Sequence, residues 1–205
     1  MPHTDPMNVP GEGMHADLDG GWLLPPPDAR EPVHTRSIVC RSFRRADGGM
    51  DIDARFIDTR PFAYHSEFRG DCPPGAALHH MQLRVTLDRQ RHVQALQSAM
   101  PGTPYAGCAE VNANFQRVVG LSMGRGFRNA LRERLGGVEG CTHMLALLEA
   151  VAAAAVQAFA SNAHLPVPAG QPAPVRIFQR QALLDSCWSY RSDGPVMRAL
   201  AARDR

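Results

Sequence analysis

The chain has 205 residues, 44% of them hydrophobic, which is enough apolar material for one packed domain with accessory ends. The 22 basic and 20 acidic residues leave a formal charge of +2, and they are interspersed without long runs of one sign, so neither nucleic acid nor an anionic membrane is expected as a partner. Every basic residue is Arg; with no Lys, a pyridoxal-phosphate Schiff base and a phosphate-binding P-loop are both excluded, and no dinucleotide fingerprint is present.

The five cysteines, Cys40, Cys72, Cys108, Cys141 and Cys187, are odd in number and form no CxxC pair, which argues against a disulfide framework. Met1-Pro2-His3-Thr4-Asp5 does not begin a basic stretch followed by an apolar one. Met144 to Ala160 is apolar but carries Glu149 and Gln157 and is short for a bilayer span. A reducing, cytoplasmic setting is the expectation.

In chain order, residues 1–33 hold Pro2, Pro6, Pro10 and Pro25-Pro26-Pro27 among several glycines, the composition of a disordered tail. The core domain is expected over 34–162. Ser37 to Arg44 predicts a strand. A tight turn at Asp47-Gly48-Gly49 leads to a second, in which Asp51-Ile52-Asp53-Ala54-Arg55-Phe56 alternates at period two. Asp51, Asp53 and Asp58 are read as the solvated face of that strand. A third strand, His79 to Asp88, places His79, Met81, Leu83, Val85 and Leu87 inward and His80 outward. His92 to Met100 adds a short edge strand.

The second half has helical period. Val111, Phe115, Val118 and Val119 define one helix with Gly120 as its cap; Phe127, Ala130, Leu131 and Leu135 a second; and Met144, Leu148, Val151 and Ala155 a third and longest. Gly120 to Gly126 reads as a helix–helix connection. Residues 163–176 are a Pro-rich linker, and 177–205 a C-terminal returning segment that carries Cys187. The expected class is α+β: a small antiparallel meander of three to four strands followed by three helices packed on one face.

Chemistry centres on Gly140-Cys141-Thr142-His143, at the start of the longest helix. Cys141 and Cys108 each follow a glycine and open a predicted helix, where free amide N–H groups favour a thiolate. His143, two residues on, is close enough to share a point with Cys141. A thiolate beside an imidazole suits zinc or another first-row metal, or a nucleophile and its base. His79 is a polar group on an apolar face and needs a partner. The candidate metal ligands are therefore His79, Cys108, Cys141 and His143, and the candidate catalytic pair is Cys141 and His143. His65, Cys72, His80, Arg125 and Arg128 rank below them. The same Cys and His residues are also compatible with a purely structural core.

Several stretches carry a resemblance: Phe43 to Ile52, Phe56-Ile57-Asp58-Thr59-Arg60-Pro61, His79 with Met81, Gly136 to His143, and Leu184-Asp185-Ser186-Cys187. Together they resemble the bacterial domain of unknown function 2889 over residues 35 to 198. The resemblance implies a bacterial, cytoplasmic, stand-alone protein. The order of strand, buried polar ligand and two later helix-start cysteines is also similar to the U-type iron–sulfur scaffold proteins. That likeness places His79 where the scaffold has an Asp, and Cys108 and Cys141 at its later cysteines, whereas its first cysteine corresponds to Ala77.

Three functions fit these residues. The first is a zinc- or iron-dependent hydrolase, lyase or decarboxylase acting on a small organic or aromatic acid. The second is a protein that handles sulfur, metal or iron–sulfur clusters. The third is a non-catalytic module. A small-molecule substrate is the expected partner, with a homo-oligomer left open.

Overall fold

The computed structural model describes residues 24–25, 28–162, 164–167, 169–170, 184–185 and 187–203. Most of the expected tail and of the Pro-rich linker lies outside the described residues. Val33–Arg205 forms one compact unit, described below; Met1–Pro32 is assigned to a separate one.

Four long strands make an antiparallel sheet: β1 (Thr35–Arg44), β2 (Met50–Thr59), β5 (Ala77–Leu87) and β6 (Val93–Gly102), in the order β1-β2-β5-β6. A separate small hairpin, β3 (Tyr64–Ser66) with β4 (Gly70–Cys72), interrupts the meander between β2 and β5. At three residues each, these strands are too short to show a periodicity. The expected edge strand is present as β6, ten residues long.

The β1–β2 turn fixes the register of the sheet. Gly48 has φ +82, Arg45 and Gly49 are joined by a backbone hydrogen bond, and the Gly49 N–H donates to the Asp47 carboxylate at 2.9 Å. Gly49 has a second constraint, since any Cβ there would run into the Leu87 carbonyl of β5. From this turn Arg44 pairs with Met50 and the ladder runs without interruption to Thr35 opposite Thr59.

One face of the sheet is dry. Met50, Ile52, Ala54 and Phe56 of β2 alternate with more exposed neighbours, and Met81, Leu83, Val85 and Leu87 do the same on β5. The opposite face is wet and cross-linked: Arg84 forks onto Asp53 (2.6 and 2.7 Å) and the Thr86 hydroxyl donates to Asp51.

The helical layer covers the dry face. The first expected helix is a 3-10 helix, Ala106–Val118, packed against β6; Phe115 and Val118 are buried. Val119 falls outside it, extended and 38% exposed, because the chain leaves helical geometry there and turns at Gly120, φ +85. Helix α1 (Phe127–Leu135) buries Phe127, Leu131 and Leu135 as expected. Helix α2 (Thr142–Asn162) lies across β1, β2 and β5 and buries Met144, Leu148, Val151 and Ala155. By length and composition α2 could cross a membrane, yet this stripe is spent on the sheet. Near its far end, Cys40 and Ser42 of β1 face Ala154 and Ala158; small residues on both walls leave a cavity of about 350 Å³. After the core come a 3-10 turn (Trp188–Tyr190), preceded by an exposed Cys187, and helix α3 (Pro195–Arg203).

Gly49→Ala is expected to destabilise the domain by about 1–3 kcal/mol, because overpacking against a central-strand carbonyl has no flexible neighbour to relieve it. Urea unfolding of the two proteins measures the difference, and an unchanged midpoint would refute the close approach.

Candidate functional site

The strand pairings put a polar row across the dry face at the end of the sheet remote from the turn. Arg36 of β1 stands opposite Asp58 of β2, and Asp58 opposite His79 of β5. Asp58 is 1% exposed. This overturns the reading of Asp58 as part of the wet face: Asp51 and Asp53 do lie there, but Asp58 is in phase with Ile52, Ala54 and Phe56. The signal was present as parity along the strand.

A buried carboxylate is tolerated only if its charge is answered. Arg36 does so with both prongs, Nε to Oδ1 at 2.8 Å and Nη2 to Oδ2 at 3.0 Å, while its guanidinium rests 4.6 Å over the Phe56 ring. His34 Nε2 lies 3.0 Å from Oδ1, and His79 Nδ1 lies 3.0 Å from Oδ2. Burial pushes the Asp58 pKa up, but the hydrogen bonds and charge of Arg36, with help from His79 and His34, outweigh it and hold the carboxyl below its ordinary value.

The helical layer completes the group. His143, in the first turn of α2, stacks on His79 with ring centroids 3.8 Å apart and planes tilted by 31°. Both imidazoles meet Phe56 edge-on. Burial lowers the pKa of His79, with Asp58 only partly offsetting it. Burial also lowers that of His143, assisted by the neighbouring His79 and Arg36. Both rings therefore favour the neutral form, the state a metal ligand or a general base requires.

Among the described residues, Asp58, His79 and His143 form a group of His, Cys or acidic side chains whose donor atoms all lie within 4.8 Å of one another. Of the sequence-predicted residues, His79 and His143 are thus together, with His79 inward and His80 outward as the strand phase requires. Cys141, immediately before α2, places Sγ 3.7 Å from His143 Nδ1 and stands beside the group without joining it. Cys108 sits half-buried in the 3-10 helix and is not in the group, so the scaffold-like set His79–Cys108–Cys141 is not assembled.

Four of the lower-ranked residues have other surroundings, His80 lying 3.1 Å from the Gln82 amide. His65 pairs with Asp71 across the small hairpin, Cys72 is buried at its base, and Arg128 pairs with Glu149. Gly120 to Gly126 connects the 3-10 helix to α1, as expected.

A family model for proteins of unknown function, DUF2889, matches residues 34–157, more than half of the chain. The chain belongs to the DUF2889 family. The match takes in Arg36, Asp58, His79, Cys141 and His143 together with the four-stranded sheet and most of α2. No curated protein and no solved structure matches the DUF2889 chain.

Two predictions follow from the polar row. Arg36→Ala strands a buried charge and is expected to cost about 3–5 kcal/mol, whereas Asp58→Asn leaves a half-exposed Arg36 that can rehydrate and should cost less. Equal losses in chemical denaturation would contradict the burial order. The second concerns pH, in chelator-treated protein. His79 and His143 have folded values below the ordinary 6.5, so the unfolded chain binds protons there that the folded chain refuses. Stability should be full above pH 6.5 and fall as the pH drops through it. Asp58 adds a separate loss only below its ordinary 3.8. Thermal midpoints from pH 8 to 5 should decline in the wild type and flatten in His79→Gln and His143→Gln.

Proposed function

We propose that this protein is a small metal-dependent enzyme. In this reading a divalent first-row ion, zinc or iron, sits at the Asp58–His79–His143 group with the two imidazoles as ligands. The substrate is a small organic or aromatic acid, and the reaction is a hydrolase, lyase or decarboxylase step. The observation that carries the reading is the meeting of two neutral-favouring imidazoles from different layers of the fold next to a carboxylate, all within 4.8 Å. Two imidazoles backed by a carboxylate suit zinc and non-haem iron and leave coordination positions open for substrate. A bound ion there would act as a Lewis acid on a carbonyl or carboxylate oxygen. The charges agree with an acidic substrate, because Asp58 is already matched by Arg36 and a dication would need further anionic partners.

A second reading has its own support in the 3.7 Å approach of Cys141 Sγ to His143 Nδ1. Without a metal, Cys141 is the nucleophile and His143 its base.

Elemental analysis of untagged protein purified without chelators distinguishes the two. Near-stoichiometric zinc or iron, lost in His79→Ala and in His143→Ala but retained in Cys141→Ser, is the expected result. Protein free of metal whose Cys141 is rapidly alkylated, with the rate falling in His143→Ala, would replace it with the second reading. Neither metal nor a reactive Cys141 would leave the group a structural one.

A further inference from the structure

A carboxylate has about four lone-pair positions, and those of Asp58 are all engaged: Oδ1 by Arg36 Nε and His34 Nε2, Oδ2 by Arg36 Nη2 and His79 Nδ1. Nothing is left over for a cation unless one of these contacts is given up. We infer that Asp58 is a positioning residue that acts through His79: it accepts the Nδ1–H of His79 at 3.0 Å and so leaves the Nε2 lone pair of that ring as the atom presented to a bound ion. The inference rests on the metal-dependent reading, and it moves Asp58 out of the ligand set.

The proton assignment follows by elimination. An ionised Asp58, clamped by Arg36, can only accept, so the nitrogen facing it must carry a hydrogen. A neutral imidazole has only one such hydrogen, so Nε2 is bare. The ring stacks on His143 at 3.8 Å and meets Phe56 at a steep angle, 6.5 Å between centroids. Arg36 thereby gains a role as well, since its bidentate grip fixes the orientation of the carboxylate that fixes the imidazole.

Long-range 1H–15N correlation NMR on chelator-treated, 15N-labelled full-length protein near pH 7.5 reads the tautomer directly. His79 is expected as the Nδ1–H form; an Nε2–H form, or an averaged mixture of the two, would overturn the inference. Zinc titration supplies the second readout. Asp58→Ala should release the tautomer into a mixture and weaken zinc binding about 10- to 100-fold without abolishing it, while His79→Ala abolishes it. Asp58→Asn, which keeps a carbonyl acceptor for Nδ1–H, should hold the tautomer and most of the affinity, and it serves as the folded control if the Ala variant is unstable. Loss of zinc binding in Asp58→Ala as complete as in His79→Ala would make Asp58 a direct ligand instead. The tautomer is measured without metal, so a protein that shows the Nδ1–H form yet binds neither zinc nor ferrous iron rejects the metal-dependent reading while leaving the Asp58–His79 relation intact.

Discussion

A carboxylate on the dry face of a sheet demands a cation in a fixed place, and the Asp58–Arg36 fork meets that demand through strand register. Arg36 can reach Asp58 because the turn at Asp47-Gly48-Gly49 starts the ladder at Arg44–Met50 and no bulge intervenes before the Arg36–Asp58 rung. A slip of one residue would carry Arg36 to the wet face and leave the buried Asp58 without its guanidinium partner. The same rung continues to His79, so a single choice of register places cation, anion and imidazole in one line. The irregularity between Asp58 and Thr59 in the β2–β5 pairing comes just after this rung and leaves it intact.

The helical layer then brings a second imidazole to the ion pair. His143 enters from α2, whose position over β1, β2 and β5 is set by the buried stripe from Met144 to Phe159. Stacking two imidazoles at 3.8 Å is unfavourable if both are charged, and the burial that lowers both of their pKa values is what makes the stack tolerable. The cost of keeping two neutral rings and a paired carboxylate in an otherwise apolar corner is greater than that of three hydrophobic side chains of similar size. Structural need alone therefore gives a weak account of them.

Strand phase made much of this legible before the fold was known. Inward His79 and outward His80 follow from the period of β5, and the three helical segments follow from their apolar spacing. Asp58 shares its strand with the solvent-facing acids Asp51 and Asp53, so residue type points it outward while parity points it inward. Its opposition to Arg36 could have been counted out from the hairpin turn. Cys108 and Cys141 share a similar helix start, but local context of that kind says nothing about whether two helix starts meet. The 3-10 geometry of Ala106–Val118 also escaped, since apolar spacing at four and three residues does not separate it from an α-helix over three turns. The β3–β4 hairpin leaves no pattern at three residues per strand.

Charge balance links the site to the kind of molecule it can serve. Taken with Arg36, Asp58 contributes almost no net charge, and the two imidazoles contribute none while they are neutral. A divalent ion placed against Nε2 of His79 would therefore be under-neutralised by the protein. In the metal-dependent reading the missing negative charge would come from the ligand that fills the open positions. An acid substrate would, in that proposed reading, supply the charge as a ligand, because Arg36 and Asp58 already neutralise one another. The four contacts that make Asp58 unavailable as a ligand are thus the same ones that leave the polar row without net charge.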